Sequence, residues 1–213
     1  RGRVALLCGA AADTLAGKRQ FRRQPLGCLT QASGQHAAEG VNDMKEGIAY
    51  SGVPSEEELA ACPGVPSRAR MARGAVAYIE CVQCIPCNPC QQACPQGAIT
   101  VGTPMTNMPV LDENKCVGCG RCVSKCPGLA ITVINKACGG GLATLDFPYE
   151  YLPLPKVGDT VEAADRLGQA VCPARVLAVR SDGGDEGTRV IRIEFPLDEA
   201  DRVRTIRRLK PEV

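Results

Sequence analysis

Eight cysteines in two quartets between residues 84 and 127 constrain this chain more than any other feature. Cys84, Cys87, Cys90 and Cys94 are followed by Pro95, and Cys116, Cys119, Cys122 and Cys126 by Pro127. Each quartet has the spacing C-x2-C-x2-C-x3-C-P. A shift of 32 residues lays the first quartet on the second, and Ala98-Ile99-Thr100-Val101 on Ala130-Ile131-Thr132-Val133. The register never slips. A single CxxC would be weak evidence, whereas two complete quartets in register predict two equivalent loop–helix–strand units related by pseudo-two-fold symmetry.

Fourteen cysteines in 213 residues would suggest a disulfide framework in a secreted protein. Their bunching argues against it, because disulfide scaffolds spread their cysteines whereas metal sites repeat them two residues apart. Zinc sites use paired C-x2-4-C units and need no third cysteine in series, nor a fourth closed by proline. The run resembles that of bacterial ferredoxins holding two [4Fe–4S] clusters, in which the fourth cysteine of each run ligates the other cluster. The resemblance covers about 60 residues. It implies cluster I on Cys84, Cys87, Cys90 and Cys126, and cluster II on Cys116, Cys119, Cys122 and Cys94. Gly118 and Gly120 are small enough to let backbone N–H groups approach the sulfurs. Ligating thiolates must stay reduced, so the expected compartment is the cytoplasm.

Cys81 stands three residues before Cys84 and extends the C-x2-C series. The repeat favours Cys84, because Cys81 falls on Glu113 while Cys84 falls on Cys116. Cys8, Cys28, Cys62, Cys138 and Cys172 lie at no metal-site spacing, and a structural role is the default for each.

The remaining residues carry little chemistry. Net charge is +2, from 25 basic and 23 acidic residues, so there is no general case for nucleic-acid or membrane binding. No apolar run is long enough to span a bilayer. His36 is the only histidine and has no motif partner. Gly17-Lys18 lacks the spacing of a phosphate loop, and Gly139-Gly140-Gly141 lacks the strand-then-helix context of a dinucleotide site. No catalytic residue is expected.

The expected fold is α+β: a ferredoxin-like dicluster module followed by a small β-barrel-like domain. Residues 1–74 form an N-terminal extension of unknown fold. Within it Val4–Leu7 reads as a strand, Ala10–Ala16 as a helical turn, and Lys18, Arg19, Arg22 and Arg23 as a basic cluster. Ser55 and Glu58 read as a capping box, and Pro63 to Arg73 as a linker. The module spans 75–135, with strands at Ala75–Glu80, Ala98–Val101 and Ala130–Ile134. Residues 136–155 read as an extended connector, because residues before proline avoid the helical region. The β domain spans 156–213. Its clearest strand is Val190–Phe195, with Ile191, Ile193 and Phe195 on one face, and Ser181 to Gly187 reads as a long turn.

A wider resemblance rests on Ile79-Glu80-Cys81, Ile85-Pro86-Cys87-Asn88-Pro89-Cys90, Cys126-Pro127-Gly128-Leu129-Ala130-Ile131 and the run from Phe147 to Pro155. These residues resemble the ferredoxin-type subunit of FAD-dependent amino-acid or imino-acid dehydrogenases, similar to hydrogen cyanide synthase, octopine oxidase and hydroxyproline dehydrogenase. The resemblance implies an electron-transfer subunit of a hetero-oligomer, with flavoprotein partners (FAD or FMN), one carrying a [2Fe–2S] centre. In such subunits the position of Cys84 is often not cysteine while that of Cys81 is, which leaves Cys81 as an alternative first ligand. Other readings are an interaction subunit with purely structural clusters, or a free diffusible ferredoxin.

Overall fold

The computed structural model describes residues 46–181 and 187–210. The expectations for Val4–Leu7, Ala10–Ala16, the basic cluster, Cys8, Cys28 and His36, and for the middle of the 181–187 turn, lie outside the described residues.

Each quartet builds one short helix. Helix α4 is Pro89–Ala93 and α5 is Arg121–Lys125, in the same register of the repeat. Both stop at the fourth cysteine. Cys94 (ψ 106°) and Cys126 (ψ 110°) are extended, because the proline that follows each one excludes the helical conformation. The chain then turns into β2, Ile99–Thr100, and β4, Ile131–Asn135. Strand β1, Val76–Ile79, pairs antiparallel with β4, and β2 pairs antiparallel with β3, Val110–Leu111. The pair Ile79–Ile131 shifts by 32 residues onto Leu111–Ile99, so the two-fold of the sequence is also a two-fold of the hydrogen-bonding.

The module does not end at residue 135. Strand β4 pairs on its other edge with β5, Leu142–Tyr149, in the stretch expected to be a connector. Ala143, Leu145, Phe147 and Tyr149 alternate into the core, none more than 2% exposed, as a strand with one buried face requires. Strand β5 pairs with β8, Arg189–Pro196, where Ile191, Ile193 and Phe195 are buried as expected. Beyond it lie β7, Ala170–Ser181, then β6, Thr160–Ala164, and β9, Thr205–Ile206. The order is β1-β4-β5-β8-β7-β6-β9, one seven-stranded antiparallel sheet. The expected C-terminal barrel is therefore corrected: the sheet is not closed, and its strands continue the ferredoxin sheet.

The N-terminal side adds three short helices. Helix α1 is Ile48–Ser51 and α2 is Glu56–Ala61; α2 has the expected capping box between Ser55 and Glu58. The linker expected at Pro63 to Arg73 instead contains α3, Arg68–Met71, capped by the Ser67 hydroxyl. Ser67 also donates its N–H (2.7 Å) and its hydroxyl (2.9 Å) to the Glu113 carboxylate. Long-range contacts order a segment whose local sequence has no periodicity.

Candidate metal centre

The thiols gather round two cavities. Cys94, Cys116, Cys119 and Cys122 line the second, together with Gly118 and Gly120. Cys81, Cys87, Cys90 and Cys126 line the first, a cavity of about 160 Å³. Each set takes three cysteines from one half of the module and one from the other, Cys94 and Cys126 lying across from their own halves in the arrangement the ferredoxin resemblance implies. Seven of the eight expected cysteines are brought together in this way. Cys84 is not on the lining of the first cavity, and Cys81 stands there instead.

The reason lies in the loop backbones. In the second quartet Gly118 and Gly120 take φ +67° and +80°, conformations that glycine adopts without a steric penalty. A side chain at Gly118 would lie 2.5 Å from the Ala75 Cβ, so this loop also presses directly onto the start of β1. The repeat places Pro86 at the position of Gly118 and Asn88 at that of Gly120. Proline is locked near φ −65° and cannot follow the path of Gly118. Asn88 has φ −144°. The first loop takes a different course, and the cysteine reaching the cavity from its N-terminal side is the one directly after β1 and Glu80.

Electrostatics marks the same groups. Burial first, then the neighbouring thiols Cys126, Cys62, Cys90 and Cys87, pushes the Cys81 thiol up to about 11. Burial, then Cys116 and Cys119, pushes Cys122 up to about 12. Burial also raises Cys90, with Cys126 and Cys87 adding to the effect. Gathering several thiolates in a desolvated space is unfavourable until a cation holds them. Backbone donors already face three sulfurs: Ala98 N–H to Cys94 Sγ at 3.3 Å, its repeat mate Ala130 N–H to Cys126 Sγ at 3.4 Å, and Ala77 N–H to Cys116 Sγ at 3.4 Å. Ala77 sits on β1, and Ala98 and Ala130 come directly before β2 and β4. Among the described residues no three His, Cys, Asp or Glu side chains close on a single metal ion. Four thiols round a cavity with N–H donors at their sulfurs fit a [4Fe–4S] cluster better than one zinc ion, which needs its ligands about 2.3 Å away.

Several supporting residues carried no signal in the sequence. Arg70 donates to four backbone carbonyls: Glu113 (2.8 Å), Gly74 (3.1 Å), Ala75 (2.9 Å) and Cys116 (2.7 Å). It ties α3 and the start of β1 to the second thiol loop. The Cys62 thiol is buried and donates to the carbonyls of Ile79 (3.3 Å) and Cys81 (3.7 Å). Each cavity also has a carboxylate clamped by two arginines nearby. Glu80, next to Cys81, accepts from Arg166 (2.6 Å) and Arg204 (2.9 Å). Asp146, 2% exposed, is held by Arg180 and Arg192, and a side chain at Gly120 would meet its carboxylate at 3.6 Å. These partners are remote in sequence, and only the continuous sheet brings them to the thiols.

Residues 83–130 match the family model of the 4Fe-4S dicluster domain. The match supports a 4Fe-4S ferredoxin-like family for this segment and suggests electron transfer. It begins after Cys81 and contains Cys84, so it bounds the domain without choosing between them. No curated protein and no solved structure matches the chain. Among the described residues no helix is long and apolar enough to cross a membrane.

Proposed function

We propose that this chain is an electron-transfer iron–sulfur subunit holding two [4Fe–4S] clusters. Cluster I takes Cys81, Cys87, Cys90 and Cys126, and cluster II takes Cys94, Cys116, Cys119 and Cys122. The observation that carries the reading is the pair of four-thiol cavities, crossed between the two halves of the repeat. A [4Fe–4S] cluster supplies a one-electron couple whose potential follows its hydrogen bonds and exposure. The chain's own part is to present the thiolates and aim the Ala77, Ala98 and Ala130 N–H groups at their sulfurs.

The wider setting we infer is a flavin-dependent oxidoreductase of the amino-acid or imino-acid dehydrogenase kind, in a reducing cytoplasm. Electrons would pass from a partner flavin to another flavin or an external acceptor. Five strands beyond the module, all in its sheet, are more than a small diffusing carrier needs, and they support a subunit.

Reductive titration of the purified chain with spin-resonance detection tests the cluster reading. It predicts about eight irons per chain and two reducible centres. Clusters that never reduce at any accessible potential would overturn it. Purification from the native source tests the subunit reading, which a lone monomer with no flavoprotein attached would sink.

A further inference from the structure

Side chains bridge the two ends of the open sheet, Arg204 beside β9 reaching Glu80 at 2.9 Å and lying 4.8 Å from the centroid of the Tyr78 ring on β1, and next to this bridge lies a groove of about 760 Å³. Glu80, Ala130 and Thr132 form one wall, and Arg166 with the run from Arg204 to Arg208 forms the other. Ile48, Glu80 and Ala130 also line the cluster I cavity. None of the residues described around the cluster II cavity lines the groove. The groove is thus an approach to cluster I alone.

Its most informative residue is Leu129. Leu129 has φ +52°, the one described non-glycine residue with a positive φ. The repeat places Gly97 at the same position, with φ +57°. Both halves need this left-handed turn after the fourth cysteine. The first half uses glycine, which bears no strain there. The second half uses leucine and leaves it 39% exposed, lining the groove. A strained residue showing a large apolar side chain to solvent, three positions from Cys126, points to a contact outside the chain.

The rim supplies the sign of the partner. Arg166 and Arg204 are taken up by Glu80. Arg207 and Arg208 face outward. Arg207 meets Glu162 at 3.1 Å in a pair exposed on both sides, which neutralises little. Arg208 lies 5.3 Å from the centroid of the Tyr151 ring, itself 55% exposed. Exposed tyrosine and arginine round an apolar residue is the composition of a protein contact, and the open shape suits a protein face better than an enclosed small molecule.

We propose that this groove is the docking surface for an acidic, electron-exchanging protein that delivers electrons to or takes them from cluster I, with Leu129 as its apolar anchor and Arg207 and Arg208 as its charged rim. The proposal rests on the electron-transfer reading above. The test uses the full cluster-loaded chain. Its probes are reduced flavodoxin, an acidic flavin protein, and reduced lumiflavin, a small donor with no protein surface. The variants are Leu129→Gly, which installs the residue of the first half, and the double charge reversal Arg207→Glu with Arg208→Glu.

Both variants should load clusters normally, and Leu129→Gly should melt no lower than the parent. At low salt the rate of cluster reduction by flavodoxin should fall about tenfold in each, and the lumiflavin rate should stay within about twofold. Unchanged flavodoxin rates, or equal losses with lumiflavin, would overturn the proposal. So would stoichiometric binding of free FMN that the same variants abolish, which would make the groove a small-ligand site. Clusters that dithionite cannot reduce would defeat the electron-transfer reading itself, and that failure is visible before any partner is added.

Discussion

The two halves of the thiol module share a sequence register and differ in how they reach it. In the second half, glycines at 118 and 120 take positive φ and bring Cys116 into its cavity. In the first half, Pro86 and Asn88 stand at those positions, and Cys81 lines the cavity where the register would put Cys84. An internal repeat therefore transmits spacing more faithfully than conformation. Two residues that change the allowed φ are enough to change which side chain arrives.

The sharpest way to break this comparison is to delete the first thiol of each half. Cys81→Ala should lose cluster I, roughly half the iron, whereas Cys84→Ala should keep nearly all of it, by iron quantitation. The reverse result would restore the symmetry of the repeat. Cys116→Ala should lose cluster II.

Substituting the loop residues comes next. Gly118→Ala adds a Cβ 2.5 Å from Ala75 at φ +67°, and should cost about 3 kcal/mol of stability. Pro86→Gly should cost less than about 1 kcal/mol, mostly through added freedom of the unfolded chain. Denaturant unfolding of the two variants measures the difference, and equal costs would mean that the loops are equivalent after all.

Arg70 sharpens the comparison further, because of the two thiol loops the one it grips is the second, through the Cys116 carbonyl. Arg70→Ala leaves four carbonyls without their donor and should cost about 2 kcal/mol. Cluster II should also load more slowly than cluster I. Equal loading of both clusters would reduce Arg70 to a general brace.

The smallest effect concerns pH. In the iron-free chain Cys81 and Cys122 keep their protons up to about 11 and about 12, while unfolded thiols ionise near their ordinary value of about 8.5. Their folded values are raised, so their contribution to stability is present below the unfolded value and is lost as pH rises through the folded ones. The iron-free chain should melt progressively lower above about pH 9, and the loaded chain should show less of this trend because its thiolates are already ligated. Parallel melting curves for the two forms would reject the idea.

Much of this was legible in the sequence for a physical reason. Prolines after Cys94 and Cys126 dictate where the helices stop, and the alternation of Ile191, Ile193 and Phe195 marks a strand with one buried face. Ser55 and Glu58 cap α2 through purely local bonds. What was not legible depends on partners far along the chain. The strand at Leu142–Tyr149 lies beside a glycine run and contains Pro148, and it gains its place from β4 and β8. Helix α3 is one turn long and depends on Glu113. That Cys81 rather than Cys84 lines the first cavity goes with the dihedral limits of Pro86, which a count of spacings does not register.

The placement of β4 bears on how the protein can be handled. It is hydrogen-bonded on both edges, by β1 on one side and β5 on the other. A fragment ending at Asn135 would bare the β5-facing edge of a strand rich in isoleucine and valine, a template for pairing with other chains. Such a fragment would contain every thiol of both cavities and yet would be expected to aggregate. For this chain the minimal unit that can be expressed, stored and studied extends through the C-terminal strands, and a search for its shortest working form should trim from the N-terminal side.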